Sequence, residues 1–221
     1  MTLNEFDAII FDSDGVLVDS EIIHIAVERE LLAEIGLTYS FEAYVSRFVG
    51  LSMPDYFAAL EHDHRNKFGR PFPTNFEDEL TGRVWPRIET ELQAIPGVSD
   101  LVSEFQGAVA VASSAPLERL MKKLKLTELE HLFAPHIYSA QAVEKGKPAP
   151  DLFLYAADRI AVPPNKCLVI EDSENGVRAG CAAGMTVIGF TGGGHADANL
   201  GARLSSAGAH RILSSHADLL R

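Results

Sequence analysis

The chain has 221 residues, 47% hydrophobic and 23% charged, which suits one large α/β domain or a core carrying a smaller insert. Its formal net charge of −12 argues against nucleic acid and anionic membrane surfaces as partners, because neither attracts so negative a field. No stretch approaches the ~20 apolar residues that cross a bilayer, and residues 1–7 carry acids without a basic n-region, so a cytoplasmic protein is expected. Cys167 and Cys181 stand in apolar contexts and are expected to be reduced, buried packing residues. A monomer or weak homodimer is expected.

In chain order, Ala8-Ile9-Ile10-Phe11 predicts a buried strand and leads into Asp12-Ser13-Asp14-Gly15. Residues 20–95 then read as helical throughout. Residues 22–34 repeat apolar side chains at Ile23, Val27, Leu31 and Ile35 and close at Gly36. Ser40 can cap a second helix from Phe41, and Pro54 suits the first turn of a third running to Phe68. A fourth follows the Arg70-Pro71-Phe72-Pro73 turn, and Pro86 is expected to kink or break it. Ala94-Ile95-Pro96-Gly97 reads as the return linker.

Strands are predicted again at 108–112, 167–170 and 186–190, with weaker candidates at 136–138 and 211–213. Helices are predicted at 117–124, 151–160 and 175–183, the last with Val177, Gly180 and Cys181 on one face and Gly184 as its stop. Thr127 and Glu130 form a capping-box pattern for a short helix. Thr191-Gly192-Gly193-Gly194-His195 reads as a turn after a strand, lacking dinucleotide-fingerprint spacing. Strand–helix alternation with continuously apolar strands predicts a doubly wound α/β core with a parallel sheet, residues 1–19 and 96–221. The all-helical insert, residues 20–95, is expected over the carboxyl edge of the sheet, where α/β sites lie.

The informative polar residues stand at strand ends: Asp12 and Asp14, Ser113 and Ser114, Lys147 within Gly146-Lys147-Pro148, and Glu171-Asp172. In a parallel sheet these ends share one edge, so residues distant in sequence converge. Asp12 and Asp14 point the same way if the chain is still extended there, and close carboxylates repel unless a cation or a shared proton intervenes. Asp12 and Asp172 offer hard oxygen ligands for Mg²⁺. With the metal bound, Asp12 can attack phosphorus and Asp14 can move the protons. Lys147 and Ser113 would meet phosphate oxygens, and Gly15 lets the chain approach the phosphate closely. Taken singly, each has a commoner explanation: Asp-x-Asp-Gly in a turn or calcium loop, Ser113 or Glu171-Asp172 capping a helix, Lys147 in solvent. Their order and common placement carry the functional reading.

These residues closely resemble the haloacid dehalogenase-like hydrolase superfamily. Residues 11–20 are similar to its first motif, Ser113 to its second, Lys147 in Lys147-Pro148-Ala149-Pro150-Asp151 to its third and Glu171-Asp172-Ser173 to its fourth. The resemblance implies a Rossmann-like core with a helical cap. It also implies Mg²⁺ held by the Asp12 and Asp172 carboxylates and the Asp14 main-chain carbonyl, with Glu171 acting through water. The likeness is strongest to the beta-phosphoglucomutase-like branch, which implies a small phosphorylated metabolite, such as a sugar phosphate, as substrate. Asp14 disfavours dehalogenation, because the family's dehalogenases do without that acid.

A phosphatase is the first expectation and a sugar-phosphate mutase the alternative. His24 stands at the spacing where the mutase has a histidine, and is carried with Arg47, Gly15 and Ser114 as a substrate-side candidate. In Arg47-Phe48-Val49-Gly50-Leu51-Ser52-Met53, however, Val49 occupies the place of a lysine and Met53 that of the arginine that grips the distal phosphate. A receiver-type phospho-acceptor would carry its acid on a later strand and no large insert. Substrate choice is expected to fall to cap side chains, with Arg29, Arg47, Lys67, Arg83 and Arg87 as candidates.

Overall fold

The computed structural model describes residues 2–49, 51 and 53–220; Gly50 and Ser52, from the segment compared with the mutase, lie outside the described residues. The chain divides into two compact units, Glu21–Glu91 and, flanking it in sequence, Met1–Ser20 with Leu92–Arg221. No helix among the described residues is long and apolar enough to cross a membrane.

The inserted unit is built from α1 (Ser20–Glu34), α2 (Phe41–Phe48), α3 (Met53–Phe68) and α4 (Phe76–Glu91). Helix α1 ends where Gly36 adopts φ +88°. The Gly36 N–H reaches the Ala33 carbonyl at 3.0 Å and the Leu37 N–H that of Leu32 at 2.8 Å, a Schellman ending. Ser40 caps α2, its Oγ accepting from the Ala43 N–H at 3.1 Å. Pro86 does not break its helix: α4 runs on through it. Val84 and Ile88, either side of it, are buried, and burying such side chains gains ~1.5–3 kcal/mol each, against the ~3 kcal/mol a helical proline costs. Edge-on aromatic contacts join the interior: Tyr39 with Phe48 at 5.2 Å, Phe48 with Tyr56 at 5.6 Å and His64 with Phe72 at 5.7 Å.

The core unit is a six-stranded parallel sheet in the order β3-β2-β1-β4-β5-β6, comprising β1 (Ala8–Phe11), β2 (Ala108–Ser113), β3 (Ile137–Ser139), β4 (Cys167–Glu171), β5 (Thr186–Phe190) and β6 (Arg211–Leu213). All four β1 residues are buried, and they alternate between two hydrophobic layers. Ile9 and Phe11 pack with side chains of α5 (Val98–Glu104), α6 (Leu117–Leu126) and α7 (Glu130–Phe133). Ala8 and Ile10 pack with α8 (Asp151–Arg159), α9 (Glu174–Ala182) and α10 (Leu200–Ala207). After the insert the chain re-enters this unit at Leu92; Ile95 is buried and donates its N–H to Leu17 O at 2.8 Å.

Two further expectations are corrected. Thr127 closes α6, its hydroxyl donating to the Lys123 carbonyl at 2.9 Å, while α7 starts at Glu130 with Leu129 as an N-cap that gives no side-chain hydrogen bond, so the capping box does not form. Glu128, at φ 58°, turns the chain between the two helices. Cys167 is buried, but Cys181 is exposed, because the buried face of α9 is Gly176, Val177, Ala179 and Gly180; both thiols are free.

One titratable group inside the helical unit gives a stability test. Burial pushes Glu28 up to about 7, opposed by the Tyr44 hydroxyl that donates to it at 2.5 Å and assisted by Glu21. Because the folded state holds the proton more tightly, this contribution is complete below the ordinary carboxylate range and is lost as pH rises through about 7. Glu28→Gln should therefore melt with the wild type at pH 4 and several degrees above it at pH 8.5; coincident melts at pH 8.5 would contradict this.

Candidate active site

The site forms where β1, β2 and β4 end side by side. Asp12 follows β1 and extends its pairing with β4, its N–H reaching Ile170 O at 3.0 Å. Glu171 is the last residue of β4 and Asp172 comes next. Asp12, Glu171 and Asp172 are all buried, and one carboxylate oxygen from each lies within 4.8 Å of the others. Lys147, from the segment after β3, reaches across all three strand ends. Its ammonium donates to Asp12 Oδ1 at 2.5 Å, to Glu171 Oε1 at 2.6 Å and to the Ala112 carbonyl at 2.9 Å. The ammonium also stands 4.9 Å from the Phe153 ring centroid.

Small residues make room for this cluster. Gly15, at φ +79°, has no Cβ where one would collide with Asp172 Oδ2 and the His195 ring. A Cβ on Gly176 would overlap the Glu171 carboxylate. The outer oxygen of that carboxylate accepts from the Ser173 N–H at 3.0 Å and its hydroxyl at 2.9 Å, while the Ser173 Oγ caps α9 through the Gly176 N–H at 3.0 Å. Burial raises the Asp12 carboxyl well above the usual range, Lys147 opposes that rise, and Glu171 and Asp172 add to it. Lys147 is raised, because Asp12 and Glu171 outweigh its own burial. Three buried carboxylates against one ammonium leave an excess of negative charge, a donor set of hard oxygens that fits a divalent cation.

The other expected residues make contacts of their own. Asp14 takes its hydrogen bonds from groups other than those that meet Asp12. The chain turns at once after β1, with the Leu17 and Val18 N–H groups on the Ser13 carbonyl at 2.8 and 3.1 Å. The Asp14 carboxylate instead meets Lys123 at 2.5 Å and accepts from the Ser20 hydroxyl. Ser113 is buried at the end of β2, its Oγ accepting from the Ala115 N–H at 3.1 Å, and Ser114 is exposed. His24 on α1 and Arg47 on α2 belong to the helical unit. There Arg47 Nε donates to Asp63 at 2.6 Å, Arg29 to Tyr39 O at 3.1 Å, Lys67 to Gly36 O at 2.8 Å, Arg83 to Glu34 at 2.9 Å and Arg87 to Glu30 at 2.7 Å.

Two residues were not foreseen. His195, in the loop after β5, is buried with Nε2 3.2 Å from Asp172 Oδ2, so that loop is more than a turn. The signal was its position, since β5 ends on the same sheet edge. Lys123 was legible as a lysine among the apolar positions of α6, one residue before Leu124.

A haloacid dehalogenase-like hydrolase family model matches residues 6–184. The 6-phosphogluconate phosphatase of Escherichia coli is 28% identical over 85% of this chain and 84% of its own length. Hexitol phosphatase B of the same organism is 32% identical over 82% of each. A haloacid dehalogenase family hydrolase of Deinococcus radiodurans, solved with bound phosphate and sodium, superposes with TM-score 0.85 at 35% identity, covering 97% of this chain and 93% of that one. The chain belongs to the haloacid dehalogenase-like hydrolases and stands among their phosphoric monoester hydrolases.

The fit of Glu171 against α9 can be tested by filling it. Gly176→Ala should destabilise the protein by ~1–3 kcal/mol, as overpacking does, with a lowered Tm by calorimetry. An unchanged Tm would show that the Glu171 carboxylate does not occupy that space.

Proposed function

We propose that this chain is a Mg²⁺-dependent phosphatase that hydrolyses a small phosphorylated metabolite, a sugar or polyol phosphate, in the cytoplasm, through a phosphoryl ester on Asp12. The observation that carries this reading is the buried convergence of Asp12, Glu171 and Asp172 on Lys147 at three adjacent strand ends. The substrate class follows the phosphatases named above, which act on a phosphorylated sugar acid and a phosphorylated hexitol. The free thiols agree with a reducing compartment.

Asp12, Asp172 and the Asp14 main-chain carbonyl would hold the cation, with Glu171 in support, and the cation would supply positive charge to the phosphate oxygens and keep Asp12 ionised. An Asp12 carboxylate oxygen attacks phosphorus as the ester P–O bond breaks, and the leaving oxygen takes a proton from Asp14. Asp14, now a carboxylate, takes a proton from the water whose oxygen attacks phosphorus. The bond from Asp12 to phosphorus breaks, releasing orthophosphate and returning both acids to their starting states. Lys147 and the Ser113 hydroxyl would donate to the phosphoryl oxygens.

The mutase alternative needs a cation to anchor a second phosphate. Val49 and Met53 supply none, and Arg47 and Lys67 already have partners within the helical unit. A sugar bisphosphate should therefore not stimulate turnover.

Phosphate release should be screened across sugar phosphates, polyol phosphates and nucleotides with Mg²⁺. Turnover on the best substrate should fall at least ~10³-fold in Asp12→Asn, which removes the nucleophile and a ligand. Excess chelator should abolish turnover, and added Mg²⁺ should restore it. Full activity in chelator, or in Asp12→Asn, would refute the proposal.

A further inference from the structure

Lys123 is a deeply buried cation to which the steps above assign nothing. Its side chain keeps 7% of its surface exposed, on the apolar face of α6 beside Leu120 and Leu124, which are fully buried. An ammonium in that setting is strongly unfavourable without a partner. Its partners are Asp14 Oδ1 at 2.5 Å and the Ser20 hydroxyl at 3.4 Å. The Ser20 hydroxyl itself donates to Asp14 Oδ1. Both contacts therefore fall on one oxygen. Among the described residues Oδ2 takes no hydrogen bond, and the Asp14 side chain is 23% exposed.

We propose that Lys123 is a positioning residue for proton transfer: with Ser20 it pins Oδ1 of Asp14, fixes the plane of that carboxyl group and leaves Oδ2 as the atom that gives and takes the proton. This rests on Asp14 being the acid/base of the phosphatase proposed above. A carboxyl free to rotate would spend little time aimed at the leaving oxygen, and proton transfer requires hydrogen-bond reach and alignment. The ammonium acts from the buried side of α6, so it orients Asp14 through Oδ1 alone.

The test compares two esters that differ in their need for that proton. Nitrophenolate leaves without protonation, whereas the alkoxide of glycerol phosphate does not. In single turnovers, Lys123→Met should slow phosphoryl transfer from glycerol phosphate about 10–100-fold, a part of what a general acid supplies, with KM unchanged. Transfer from p-nitrophenyl phosphate should stay within about threefold, since it makes little call on the acid. In an Asp14→Asn background the same substitution should add less than about twofold, because both changes act through one group. Ser20→Ala, which keeps the ammonium, should show the same leaving-group bias at smaller size and serves if Lys123→Met does not fold. Equal losses on both esters, or an undiminished loss in the Asp14→Asn background, would overturn the positioning role. Failure of the wild type to release phosphate from any ester would overturn the phosphatase reading, and this role with it.

Discussion

The site depends on one buried ammonium, that of Lys147, held between Asp12 and Glu171 against the Ala112 carbonyl. A buried carboxylate without a partner costs several kcal/mol, and here three lie within 4.8 Å of one another. Lys147 compensates part of that charge. Burial, and after it the charge of Glu171 and Asp172, disfavours the ionised form of Asp12, and the three clustered carboxylates could hold a divalent cation that offsets it. Geometry enforces the arrangement, because β1 is central and flanked by the two strands whose ends carry Ala112 and Glu171.

The same electrostatics bear on how an acidic protein handles an anionic substrate. At a net charge of −12 the chain as a whole does not attract phosphate. Nor are the basic side chains of the helical unit idle: Arg29, Arg47, Lys67, Arg83 and Arg87 each hold an acid or a carbonyl of that unit. At the strand ends the positive charge beside the acids is that of Lys147, where water is largely excluded and each charge is felt more strongly. Asp14 and Lys123 extend that logic by one residue pair, a carboxyl group oriented from inside the core.

Most of the core was legible because its strands are buried on both faces and so read as unbroken apolar runs, Cys167-Leu168-Val169-Ile170 being the clearest. Strand ends on a common edge make Asp12, Lys147 and Glu171 readable from the sequence as one group. What escaped were tertiary effects on local rules. Pro86 sits in a continuous helix because burial on both sides outweighs its preference. Thr127 follows its propensity to cap, but at the end of one helix and not the start of the next. The tight turn after Asp12 sends Asp14 toward Lys123, a contact between residues 109 positions apart that no periodicity reveals. Ser13 is fully buried and its hydroxyl has no hydrogen bond among the described residues; nothing in the structure explains it.

The central claim is that phosphorus passes through a covalent bond to Asp12. Acid-quenching the Asp14→Asn enzyme after brief exposure to an activated phosphate ester, followed by peptide mass spectrometry, reads this directly. The expected result is one phosphoryl group on the peptide containing Asp12, removable by hydroxylamine as an acyl phosphate is. Release of product with no phosphoryl group on the protein, or its appearance on a residue other than Asp12, would contradict it.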